Sequence, residues 1–131
     1  MKTCCATIVA LILTFSVFGQ KADCSRFKTG LFYYPTLQFK ESLREDSTQM
    51  NYSKGKLEAV WSVQWVSNCE YTMTCQKVLV SSNDVKVGDK IEATIIKTDG
   101  DCCTVSLIVY NASNPKGFRA PNVQMCIKKA D

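Results

Sequence analysis

Hydrophobic and polar residues alternate along most of this chain with a period of two, the signature of strands that bury one face and wet the other. The pattern is clearest from Leu57 to Val66, where Leu57, Ala59, Trp61, Val63 and Trp65 take the odd places and Glu58, Ser62 and Gln64 fall between. Ser67-Asn68 then permits a tight reversal into Cys69 to Cys75, whose odd positions again hold the apolar set, including Tyr71 and Met73. Val87-Gly88-Asp89 turns the chain into Lys90 to Lys97, with Ile91, Ala93 and Ile95 on one face. Asp99-Gly100 is the strongest hairpin signal, because both residues tolerate positive φ. Beyond it, Cys102 to Tyr110 sets Cys103, Val105, Leu107 and Val109 on a common face.

The remainder is weaker. Asn111 to Pro121, rich in Asn, Ser, Pro and Gly, reads as a loop, and Val123 to Lys128 as a last strand with Val123, Met125 and Ile127 in phase. Upstream, Thr29 to Tyr34 is a strand stopped by Pro35. Leu37, Phe39 and Leu43 define the apolar phase of Leu37 to Leu43, with Glu41 against the rhythm; Gln49 to Ser53 follows, then the turn Ser53-Lys54-Gly55-Lys56. No window has helical periodicity. The expectation is an all-β fold: an antiparallel meander of about eight strands that must curl to bury its apolar face, as a small up-and-down barrel or strongly bent sheet, lipocalin-like.

The first residues follow a different rule. Lys2 precedes a 13-residue, mostly apolar run from Ala6 to Phe18, and Gly19 stands before Gln20. This is the pattern of a signal peptide over 1–19, and the run is shorter than the roughly 20 residues a membrane span requires. A single β domain over 20–131 is expected to be secreted or periplasmic. The whole chain of 131 residues carries 16 Lys+Arg against 12 Asp+Glu and no histidine. The missing imidazole excludes Ser-His-Asp and Cys-His nucleophile systems and His-ligated zinc. The mild basic excess forms no block, so nucleic acid is not an expected partner.

Six cysteines lie beyond the leader: Cys24, Cys69, Cys75, Cys102, Cys103 and Cys126. An even number in an exported chain favours disulfides. Adjacency in the meander suggests that Cys24 meets Cys69, with Cys75 and Cys126 sharing the Cys102-Cys103 doublet. No close thiol pair suits zinc, and Asp99 and Asp101 oppose a reactive thiolate at the doublet.

Other chemistry is sparse. Trp61, Trp65 and Tyr71 share the inward face and would line a ligand pocket if the barrel is hollow; in a filled barrel they are core. Asn68-Cys69-Glu70-Tyr71 divides into turn, disulfide, solvent face and core. Arg44-Glu45-Asp46-Ser47 reads as a turn, and Asp99-Gly100-Asp101 as a hairpin that lacks the oxygen ligands calcium needs. Glu41, Glu58, Glu70 and Glu92 could supply a carboxylate pair, but no spacing singles one out. No cofactor or metal is expected.

Three segments, Phe27-Lys28-Thr29-Gly30-Leu31-Phe32-Tyr33, Arg44-Glu45-Asp46-Ser47-Thr48-Gln49 and Trp65 to Thr74, occur in that order in a family of small exported proteins of Bacteroidetes-type bacteria, which the chain resembles over Cys24 to Thr98. The resemblance implies an exported all-β domain and brings no activity, ligand or catalytic residue with it. The functional expectation is a non-enzymatic binding or structural protein of the cell envelope or exterior. The alternatives are a lipocalin-like carrier of a small hydrophobic ligand and, last, a carboxylate-dependent hydrolase.

Overall fold

The computed structural model describes residues 22–81 and 84–130; the expected signal peptide lies outside them. One turn of 3-10 helix, Ser25–Phe27, precedes eight strands: β1 (Gly30–Tyr33), β2 (Lys40–Arg44), β3 (Thr48–Ser53), β4 (Lys56–Trp65), β5 (Glu70–Val78), β6 (Lys90–Asp99), β7 (Cys102–Asn111) and β8 (Asn114–Ile127). Every neighbour in the meander pairs antiparallel, and β1 closes onto β8 to complete a barrel. The all-β meander is therefore as the alternation predicts, and the choice between bent sheet and barrel falls to the barrel.

Inward positions form one core that includes Phe32, Ala59, Trp61, Val63, Tyr71, Met73, Ala93, Ile95, Val105 and Met125. Outward positions on the central strands include Ser62, Gln64, Thr72, Thr74, Glu92, Thr94, Thr104 and Ser106, with Val60, Ile96 and Ile108 among them. No helix among the described residues is long and apolar enough to cross a membrane.

The barrel has two unlike ends. At one, the hairpins β2–β3, β4–β5 and β6–β7 gather beneath the 3-10 turn. Arg26 of that turn donates to Gly100 O at 2.9 Å and pairs with Asp101, while Cys24 is bonded to Cys69 in the β4–β5 connection. Cys24 and Phe27 are buried under this strap. The second disulfide, Cys102–Cys126, joins facing residues of β7 and β8 at the same end, bracing the seam where β1 offers only Phe32 and Tyr33 to β8. Closing loops of 45 and 24 residues stabilises each by roughly 3–4 kcal/mol in a chain-entropy account.

Three sequence expectations change. The segment expected as a loop, Asn111 to Pro121, is mostly strand: β8 begins at Asn114 after a two-residue turn, with Asn114 N–H donating to Asn111 Oδ1 at 2.8 Å. Pro121 is tolerated because the register jumps between Val105 opposite Val123 and Leu107 opposite Ala120, so its missing N–H falls in a bulge. Gly117 keeps φ at +83°, and a Cβ there would lie 2.6 Å from the Tyr110 ring.

The phase assigned to Leu37–Leu43 is reversed. Leu37 and Phe39 are exposed in the β1–β2 connection, and the residues that β2 buries are Ser42 and Arg44. Arg44 thus leaves the turn, which keeps Glu45, Asp46 and Ser47.

The third correction concerns thiols. Cys102 takes Cys126, as adjacency suggests for one member of the doublet, but Cys75 and Cys103 are free and buried. Thr74 faces Lys90, which faces Tyr110, whereas Cys103 faces Thr98. Cys75 therefore sits near one end of the strands and Cys103 near the other, about 25 Å apart along the strand direction, beyond the reach of a disulfide. Peptide mapping of the native protein is expected to recover Cys24–Cys69 and Cys102–Cys126, with two alkylatable thiols that appear only on denaturation. A Cys75–Cys103 crosslink would contradict the register.

Candidate functional site

The stapled end is organised by a charge. Arg44, from the last position of β2, is 2% exposed. Its Nε donates to Gln49 Oε1 at 2.8 Å, Nη1 to Phe27 O at 3.0 Å, and Nη2 to Tyr71 Oη at 3.1 Å. The guanidinium also lies 4.4 Å from the Tyr71 ring centroid, 5.5 Å from Phe32 and 5.8 Å from Trp65. Among the described residues no carboxylate forms an ion pair with it. A guanidinium keeps its charge even when buried, and its desolvation costs several kcal/mol. Carbonyl, amide and phenol oxygens with three aromatic faces offset that cost in place of an anion. Every donor partner is supplied by a different part of the chain, so the cation fastens the 3-10 turn, β2, β3 and β5 together.

Trp65 and Tyr71 belong to this packing. They face each other across β4 and β5, with ring centroids 4.6 Å apart, and Lys28 Nζ lies 5.2 Å from the Trp65 ring. Tyr71 is buried in the core, and Trp65, partly buried, packs against it. Trp61 is different. It lies four residues further up β4 and forms part of the wall of a hollow of about 170 Å³ at the opposite, unstapled end.

That hollow sits between the start of β4, the end of β5 and the connection that follows it. Trp61 and Ala59 line it with Val78 and Val85, and Lys40, Asn51, Glu58 and Asp84 supply its polar groups. Lys40 Nζ and Glu58 Oε2 are 2.7 Å apart across its edge. Asn51 Oδ1 accepts from Gln49 Nε2 at 2.8 Å, and Gln49 in turn accepts from Arg44. A hydrogen-bonded line therefore runs inside the barrel from the buried guanidinium to the wall of the hollow. Trp61 Nε1 is the buried side-chain donor left without a partner among the described residues. The sequence grouped Trp61, Trp65 and Tyr71 as one candidate pocket; the structure splits them between two ends.

The carboxylates are dispersed. Glu41 pairs with Lys128, Glu58 with Lys40 and Glu92 with Lys90, while Glu70 stands exposed on the outer face. Of the four, only Glu58 lines the hollow. Asp101 bonds Arg26 and Lys129, which hold its carboxyl below the usual range. No group of three or more His, Cys, Asp or Glu among the described residues is arranged to hold a metal ion.

No family model, curated protein or solved structure matches this chain.

Arg44 and Gln49 were missed as interior residues because Leu43 draws the eye to the wrong phase of β2. A signal was present: they stand on either side of the Glu45-Asp46-Ser47 turn and face each other across the hairpin, where a polar pair can point inward and bond.

Three weakly acidic side chains, one phenol and two thiols, extend the picture. Burial pushes Tyr34, whose Oη lies 2.6 Å from Ser42 Oγ, up to about 12, and pushes the Cys103 thiol up to about 11 despite the attraction of Arg44. Burial likewise raises the Cys75 thiol.

Truncation of Arg44 to Ala is expected to cost about 3–5 kcal/mol in urea unfolding, from the cavity and the orphaned Phe27, Gln49 and Tyr71 acceptors. The volume-matched Arg44→Met should cost less, because it also removes the buried charge. Equal losses would show that the charge is immaterial. Tyr34 and Cys103 hold their protons more tightly folded than unfolded. Their contribution to stability is thus complete below the ordinary thiol value of 9.0 and is lost as pH rises through about 11 to 12. Urea midpoints should fall across that interval, and Cys103→Ala should flatten the first part of the decline.

Proposed function

We propose that the chain is an exported, non-enzymatic binding domain of the cell envelope or exterior, and that it takes a small, largely apolar ligand in the hollow beside Trp61. The single observation that carries this reading is the asymmetry of the barrel. One end is stapled by two disulfides and packed around Arg44, while the other opens on an aromatic-walled hollow with a few polar groups at its edge. Apolar walls with a small number of placed polar groups are what ligand sites are made of. Two disulfides suit an oxidising compartment and support export. The resemblance to small exported Bacteroidetes-type proteins accords with the same role, and ion-paired carboxylates give no support to a hydrolase.

The lipocalin-like alternative narrows to a matter of size. A hollow of about 170 Å³ resembles a cavity that accepts benzene and falls short of the 300–1,000 Å³ typical of sites for larger ligands. Indole-sized or short aliphatic compounds fit; a long acyl chain does not.

Because Trp61 lines the hollow and Trp65 does not, Trp65→Phe leaves one tryptophan as reporter. Titration with indole-sized aromatics and short- and long-chain fatty acids is expected to change its emission for the small compounds only. Val78→Phe, which fills the hollow from β5, should weaken that binding about tenfold or more. No response to any small compound, or an unchanged response in Val78→Phe, would remove the hollow as the site.

A further inference from the structure

Four of the exposed large hydrophobic side chains stand in the two longest connections of the unstapled end: Leu37 and Phe39 between β1 and β2, Leu79 and Val87 between β5 and β6. Both connections border the same opening, since Lys40 and Val80 line the hollow together. Phe39 is the most informative. It is 63% exposed with φ at +61°, a conformation that costs a bulky L-residue on the order of 1–3 kcal/mol. Lys54 in the β3–β4 turn holds it there: Lys54 N–H donates to Phe39 O at 3.0 Å, and Lys54 Nζ lies 5.4 Å from the Phe39 ring centroid. The fold thus spends strain to present an aromatic ring to solvent.

Charge differs between the two ends, although Asp84 and Asp89 stand at the unstapled end and Arg26, Lys28 and Lys129 at the stapled one. Lys54, Lys56, Lys77, Lys86 and Lys116 lie at the unstapled end, and none of them forms an ion pair among the described residues. The hairpins of the stapled end carry Glu45, Asp46, Glu70, Asp99 and Asp101. The barrel therefore presents an apolar-tipped rim with an excess of lysine at one end and, at the other, hairpin turns whose acids are met in part by Arg26 and Lys129.

We propose that this rim docks the barrel end-on to an anionic lipid surface, with Phe39, Leu37, Leu79 and Val87 entering the headgroup region and the lysines meeting phosphates. Lipid is favoured over a protein partner for two reasons. The apolar side chains stand on separate loop tips around an opening rather than in one continuous patch, and among them Lys54, Lys56, Lys77, Lys86 and Lys116 outnumber Asp84 and Asp89; lysine is depleted from protein interfaces and suited to headgroups. The inverted orientation would bring Glu45, Asp46, Glu70 and Asp99 of the stapled-end hairpins against the phosphates. This contact is superficial and spans nothing. It is independent of the hollow, because its residues are loop tips and it survives if no small ligand binds.

The test uses residues 20–131, which contain every described element and lack the apolar leader, with disulfides intact. Cosedimentation with vesicles of phosphatidylglycerol and phosphatidylcholine in equal parts is expected to exceed that with phosphatidylcholine alone by about tenfold or more and to fall as salt is raised. Phe39→Gly relaxes the strained backbone, so thermal stability should be kept or raised while vesicle binding drops about tenfold. Charge reversal at Lys54 and Lys56 should produce a comparable loss. Ser substitutions at Val66 and Ile96, exposed apolar residues outside the rim, should change nothing. Equal binding to neutral vesicles, undiminished binding by Phe39→Gly, or a lipid-free dimer that Phe39→Gly dissolves would each overturn the proposal.

Discussion

A single guanidinium sets the terms for the closed half of this barrel. An arginine that is 2% exposed and has no carboxylate partner among the described residues is tolerable only if every surrounding group is placed to receive it. That demand is met by a carbonyl from the 3-10 turn, an amide from β3, a phenol from β5 and three ring faces. None of these can move without stranding the cation or an acceptor. The constraint explains why the turn lies across the barrel end instead of projecting from it, and why a disulfide from its first flank reaches the β4–β5 connection. It also explains why the aromatic residues there are packing and not pocket.

The opposite end inherits what the first leaves free. With both disulfides and the charged cluster committed to one pole, the other is assembled from longer connections. The β5–β6 segment folds back, with Cys75 N–H donating to Asp89 O and Gly88 N–H to Cys75 O. Ala59 and the valines keep a hollow there, and Gln49 and Asn51 link its wall to Arg44 by hydrogen bonds. Rigidity at one pole and access at the other is the arrangement expected of a scaffold that positions binding loops. The hollow and the apolar, lysine-rich rim are two separable uses of that pole, one internal and one superficial.

Three segments of the chain, 27–33, 44–49 and 65–74, meet at one place. Phe27 and Phe32, Arg44 and Gln49, and Trp65 and Tyr71 all contact or bond within the same cluster. Their physical requirement is mutual: the cation needs the rings and oxygens, and the rings pack around the cation. They describe how the barrel is closed and say nothing about what it binds.

The period-two alternation of Leu57–Val66, Cys69–Cys75 and Cys102–Tyr110 determined the fold class, because a side chain on a strand has only two directions and the apolar set must share one. The same local rule failed where the interior is polar. Leu43 outvoted Ser42 and Arg44, since hydropathy cannot register a charge that is buried against partners far along the chain. Pro121 marked a loop because only its place in a bulge of β8, opposite β7, makes it acceptable in a strand. The fates of the thiols, the separation of Trp61 from Trp65 and Tyr71, and the strain at Phe39 were decided in three dimensions. Register, tilt and closure bring distant residues together, and those quantities belong to the sheet as a whole rather than to any stretch of sequence.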